Sequence, residues 1–260
     1  EDNKMKRKKS FYFVGILVIM LLLSACGAVA PEPTPIPPTT VPPTTVSPTQ
    51  TPRPTRIPTN TPQPTATPDI VATQQYEEFF TLLESFEQEG YISTTKGDTY
   101  SLSPFQEEWA QIGWFRWWTY DFFGSDLVFN AHFEWEIASK TPETSGCGVV
   151  FGLQENGEYY AVFLDKSRIL FLRKRGSNLY EVGKTRGPGR VDFDNPAEAD
   201  FALAVKDNSA FVSVDGEVTE YTLSQDQTKE GNFAVTLLSG TNSDYGTRCE
   251  MTDMMLWFPE

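Results

Sequence analysis

Cys147-Gly148-Val149-Val150-Phe151-Gly152-Leu153-Gln154-Glu155-Asn156-Gly157-Glu158-Tyr159-Tyr160-Ala161-Val162-Phe163-Leu164 decides the fold class. Two short runs rich in β-branched and aromatic residues flank Asn156-Gly157, a strong signal for a tight hairpin. The same rhythm extends in both directions. Strand-like runs recur near Trp109–Thr119, Asp126–Ile137, Ile169–Arg173, Phe201–Val205, Ala210–Val214, Glu217–Leu223, Phe233–Leu238 and Cys249–Phe258. Asp165-Lys166-Ser167, Asp207-Asn208-Ser209 and Asp215-Gly216 supply turns between them. No helix-length apolar pattern interrupts the series, so residues 91–260 read as one all-β, antiparallel β-sandwich rather than a βαβ fold.

Upstream, residues 69–90 read as a single amphipathic helix. Ala72, Tyr76, Phe79, Leu83 and Phe86 recur every three or four residues, Asp69 offers an N-cap and Gly90 a stop. Its stripe needs a surface, most simply the sandwich. Residues 27–68 are of another kind: 14 of the chain's 19 prolines and 12 threonines fall between 31 and 68. Proline fixes φ and removes donors, so this stretch favours polyproline II and reads as a stalk, on the order of 100 Å long at full extension. Its threonines suit O-glycosylation by composition alone.

Residues 1–26 open with Lys4, Lys6, Arg7, Lys8 and Lys9, continue with an apolar run from Phe11 to Leu23, and close on Ser24-Ala25-Cys26. The run is short for a bilayer span. The segment resembles a bacterial lipoprotein signal peptide. That resemblance implies a lipidated Cys26, a membrane partner through it, and an extracytoplasmic, surface-exposed location in a cell envelope. Cys147 and Cys249 remain, an even pair in a compartment that permits disulfides. A bridge closing 102 residues would stabilise the fold by roughly 4–5 kcal/mol on the chain-entropy model. Two buried thiols, or a catalytic thiol paired with His132, are the alternatives.

Residues 27–260 carry 16 basic and 33 acidic residues. Such a surface repels phosphate backbones, so nucleic acid is not an expected partner.

Within the strand series, Ser145-Gly146-Cys147-Gly148-Val149-Val150-Phe151, Tyr159-Tyr160, Val212-Ser213-Val214-Asp215-Gly216 and Met254-Met255-Leu256-Trp257 resemble the concanavalin A-like lectin/glucanase jelly roll. Among such domains the chain is similar to the one associated with 3-keto-disaccharide hydrolases, over about residues 95–260. The resemblance implies a jelly-roll sandwich and a carbohydrate ligand. It implies no particular activity, because the matching motifs are turns and core strands.

Twelve aromatics lie between Phe105 and Trp135, five of them tryptophans. Alternation puts Trp114, Trp118 and Tyr120 on one face of their strand and Phe115 and Trp117 on the other. One face enters the core; the other either offers platforms for sugar rings or is covered by the 69–90 helix. On the next strand Phe129, Ala131, Phe133, Trp135 and Ile137 point one way, and Asn130, His132, Glu134 and Glu136 the other. This polar strip suits sugar hydroxyls or, equally, a solvated outer sheet. The expected ligand-binding set is therefore Trp114, Trp118, Tyr120, Asn130, His132 and Glu134, with Glu134, Glu136 and His132 as candidates for acid–base chemistry. Arg173 and Arg175 lie on a strand whose facing alternation alone leaves open.

Glu134-Trp135-Glu136-Ile137 departs from the Glu-x-Asp-x-x-Glu pattern of retaining glucanases, which counts against that chemistry. No His-Glu-x-x-His, Gly-x-Ser-x-Gly or phosphate-loop motif is present. No cofactor is expected beyond a structural calcium, for which Asp192 and Asp194 are the candidate ligands. Non-catalytic carbohydrate binding leads; a glycoside-acting hydrolase and a protein–protein envelope module are the alternatives.

Overall fold

The hairpin at Asn156-Gly157 is the centre of a six-stranded sheet. Gly157 takes a φ of 77°, and the strands it joins, Gly146–Leu153 and Tyr159–Asp165, pair antiparallel with Val149 opposite Val162 and Phe151 opposite Tyr160. A computed structural model describes residues 70–139 and 145–260. The chain divides into Glu1–Gln63, outside the described residues, and one compact unit, Pro64–Glu260. The signal segment, Cys26, the stalk and the Asp69 cap all lie outside the described residues.

Among the described residues one helix, α1 (Ile70–Gln88), precedes the strands. In chain order these are β1 (Gly97–Ser101), β2 (Phe105–Trp109), β3 (Trp114–Gly124), β4 (Leu127–Ile137), β5 (Gly146–Leu153), β6 (Tyr159–Asp165) and β7 (Ile169–Arg175). There follow β8 (Asn178–Glu181), β9 (Lys184–Arg186), β10 (Ala197–Lys206), β11 (Ser209–Val214), β12 (Glu217–Thr222), β13 (Gly231–Ser239) and β14 (Thr247–Pro259). Sheet A runs β1-β14-β4-β10-β11-β12-β9, with β2 also on β14; sheet B runs β3-β13-β5-β6-β7-β8. The ladders between these strands are antiparallel, with one isolated parallel bridge between Trp109 and Gly246, and the two sheets pack face to face as a jelly-roll sandwich.

Alternation decides what each face does. Leu127, Phe129, Ala131, Phe133 and Trp135 of β4 enter the inter-sheet core with Val149, Phe151, Tyr160, Val162, Phe171, Phe201 and Phe233. Phe133 stacks on Phe201 at 4.7 Å, an offset aromatic contact worth about 1 kcal/mol beyond its buried area. Cys147 of β5 and Cys249 of β14 form a disulfide that ties the two sheets together across the core. This outcome removes both thiol alternatives.

The helix stripe finds its surface on the outer face of sheet A. Phe79, Leu83 and Phe86 are buried against Val128, Ala202, Ala204, Phe211, Met255 and Trp257. The helix stops where expected: Gly90 takes a φ of 81° and the Tyr91 N–H bonds back to the Phe86 carbonyl. Tyr76 departs from the stripe; it is exposed, and its hydroxyl donates to the Thr99 carbonyl at 3.4 Å.

Candidate functional site

Strand register makes the outer face of sheet A a graded surface. Reading across β14, β4 and β10, the first row is Trp257, Val128 and Ala204, and the second is Met255, Asn130 and Ala202. The next is Thr252, His132 and Asp200, and then Glu250, Glu134 and Glu198. Arg248 opposite Glu136 closes the series. The first two rows, apolar but for Asn130, pack under α1, whereas the later rows are polar and take no part in that buried cluster. The boundary is a cleft of about 270 Å³. Gln75, Glu78, Phe79 and Leu82 of α1 form one wall; Asn130, His132, Asp200, Asp253 and Met255 form the floor and far side.

A bulge in β14 shapes that far side. Register shifts between Thr252 and Met255, Asp253 takes a φ of 52°, and its carboxylate meets the Gln75 amide from the helix. Beyond the His132–Glu134 ridge lies a second hollow of about 540 Å³, lined by Glu134, Glu198, Asp215 and the loop carrying Asp192 and Asp194. The two calcium candidates thus share a hollow with two residues of the acidic face.

His132 sits between the two hollows. Its Nδ1 is 2.8 Å from Asp200 Oδ1, and its Nε2 is 3.7 Å from Glu134 Oε1. The hydrogen bond to Asp200 holds the imidazole above its usual pKa; partial burial opposes this, and the charges of Asp200, Glu134 and Glu198 add to it. Asp200 is itself fixed by its backbone, since its N–H donates to Asp215 Oδ1 at 2.9 Å and its carbonyl accepts from the Asp215 N–H at 2.9 Å. Glu136 is spoken for differently: Arg248 lies 3.5 Å from it and 3.3 Å from Glu108, with its guanidinium 4.3 Å over the Tyr245 ring.

The expected ligand set does not assemble in one place. Asn130, His132 and Glu134 share the outer face of sheet A. Trp118 and Tyr120 turn inward from β3, an edge of sheet B, and pack against the inter-sheet core. Trp118 meets Phe105 at 5.0 Å and carries the Arg116 guanidinium at 5.0 Å, while Tyr120 lies 6.4 Å from Phe233. Only Trp114, 63% exposed at the strand's start, is open. The helix does not cover the opposite face of β3; there Phe115 and Trp117 meet Tyr159 on the outside of sheet B. Arg173 and Arg175 both pair with Asp226, away from the acidic strip.

Glu198, Asp200, Asp253, Gln75 and Glu78 are the site residues that the sequence reading missed. Extending its Phe201–Val205 strand back to Ala197 would have exposed the alternation Ala197, Ala199, Phe201 in and Glu198, Asp200 out.

No family model and no curated protein matches the chain in sequence. Among solved structures it is similar to the carbohydrate-binding module CBM66 from Bacillus subtilis, at 9% identity and a TM-score of 0.45 over 63% of this chain and 97% of that one. It is also similar to a Bacillus licheniformis β-glucanase, at 11% identity and a TM-score of 0.38 over 54% and 69%. Sheep galectin-11 aligns at 9% identity and a TM-score of 0.32, over 54% and 98%. Likenesses this distant assign neither a site nor a ligand to this chain.

Proposed function

We propose that this chain is a carbohydrate-binding module, lipid-anchored through Cys26 outside the cytoplasm and displayed on the residue 27–68 stalk. It takes its glycan in the cleft between α1 and the outer face of sheet A. One observation carries the reading: the cleft joins hydrogen-bonding groups (Asn130, His132, Asp200 and Gln75) to the apolar side chains of Phe79, Leu82 and Met255. A sugar ring presents the matching combination of hydroxyls and C–H faces. The carboxylates around the cleft favour neutral or amino sugars and disfavour sulfated or sialylated ones. Trp114, Trp118 and Tyr120 are not needed for this binding mode.

The test is a glycan array probed with residues 64–260 and with Asn130→Ala, Asp200→Asn and Trp114→Ala variants. Neutral glycans are expected to bind, with signal lost in the first two variants and kept in the third. A blank array from folded protein overturns the reading in favour of a protein partner.

A hydrolase is the second reading, favoured by the Glu134 and Glu198 carboxylates, whose oxygens approach within 4.8 Å. Turnover of the bound glycan, lost in Glu134→Gln while binding persists, would establish it.

A further inference from the structure

We infer that His132, Glu134 and Glu198 form a divalent transition-metal site on the open half of sheet A. Each offers one ligand atom, and the three atoms lie within 4.8 Å of one another. Two strands preset the arrangement: Glu134 and Glu198 are direct cross-strand partners, and His132 lies two residues from Glu134 on the same face of β4. A small cation bound at about 2.0–2.2 Å from each donor needs donor separations of about 3.3 Å. The closing movement falls to two exposed glutamate side chains, one of them 60% exposed.

The imidazole is oriented for this role. In the neutral imidazole Asp200 accepts the Nδ1 proton at 2.8 Å, which leaves the Nε2 lone pair facing Glu134. A carboxylate behind the distal ring nitrogen is the arrangement that fixes the tautomer of metal-bound histidines and raises their basicity. Asp200 is in turn held by its two backbone hydrogen bonds with Asp215.

Charge points the same way. Glu250, Glu134 and Glu198 stand directly opposite one another on three neighbouring strands, a destabilising row of like charges. Among the described residues no lysine or arginine pairs with any of the three, and Arg248 is committed to Glu108 and Glu136. A dication between Glu134 and Glu198 neutralises the row. One imidazole nitrogen with carboxylate oxygens suits zinc or manganese; calcium prefers an all-oxygen shell. Three protein donors leave coordination positions open to water or a ligand hydroxyl. This site stands or falls independently of the glycan reading; Asp192 and Asp194 line the same hollow as Glu134 and Glu198 but are not among its three ligands.

The experiment is calorimetric titration of ZnCl2 into metal-stripped residues 64–260, a compact unit with its own core and disulfide. Saturable 1:1 binding is expected, uncompeted by excess Ca2+. It should be abolished in His132→Ala, lost in Glu198→Gln, and weakened about 10- to 100-fold in Asp200→Asn, which leaves all three ligands in place. Circular dichroism confirms that each variant folds. Absence of saturable binding, or binding unchanged in His132→Ala or in Glu198→Gln, overturns the site.

Discussion

His132, the only histidine of the chain, makes the acidic face directly observable. The titratable groups around it are Asp200 and Glu198 on β10, Glu134 on β4, Asp253 on β14 and Glu78 on α1, all acidic. In metal-free protein its NMR titration should therefore give a single pKa above 6.5, falling towards 6.5 in Asp200→Asn. A raised folded-state pKa means that protonated His132 stabilises the fold. That contribution is complete below the unfolded-state value and disappears as pH rises through the folded one. The wild type should lose more stability than Asp200→Asn across that window in urea unfolding. His132 itself was legible in the sequence, because β4 alternates cleanly. Asp200 and Glu198 were not legible as its neighbours, because they arrive through a strand pairing between distant segments and register is a tertiary property. Gly246 is another residue whose meaning needs the fold. Its φ is 74°, and an added Cβ would lie 2.1 Å from the Trp109 carbonyl oxygen. Gly246→Ala should destabilise the domain by about 1–3 kcal/mol or more in chemical denaturation.

Among the elements, α1 carries the most consequence, since it both seals the apolar half of sheet A and walls the cleft. Its stripe was readable from spacing, as was its landing on the sandwich. Which sheet, and which face, was not: nothing in Phe79, Leu83 or Phe86 says that Val128, Ala204 and Trp257 await them. Leu83 is 1% exposed, and Leu83→Ala should cost about 2–5 kcal/mol in urea unfolding and raise amide exchange along the helix. The strands missed in the sequence, β1, β2, β8 and β9, are short edge or near-edge elements whose side chains are largely exposed. Without a buried face they have no alternation to read. Strand β3 shows the opposite limit. Its two faces were separable by alternation, but the inward direction of Trp118 and Tyr120 emerged only once the strand was placed at the edge of sheet B.

At the scale of the whole molecule, the sandwich is clasped once, by Cys147–Cys249, between β5 of one sheet and β14 of the other. The bridge closes 102 residues, so replacing both cysteines by alanine should lower stability by about 2–5 kcal/mol, seen as an earlier urea midpoint. The all-β architecture was legible because turns and alternation agree along most of the chain. The site was half legible for the same reason: β4 supplies its polar strip in plain sequence, while β10, β14 and α1 complete it by packing. That completed cleft is the proposed glycan site. Its most direct test is to add the best neutral glycan from the array to 15N-labelled residues 64–260 and map the amide shifts. Saturable shifts are expected, concentrated at Gln75, Leu82, Asn130, His132, Asp200 and Met255. Shifts centred instead on Trp114 and Trp117 at the edge of sheet B, or no saturable shift at all, would contradict that assignment.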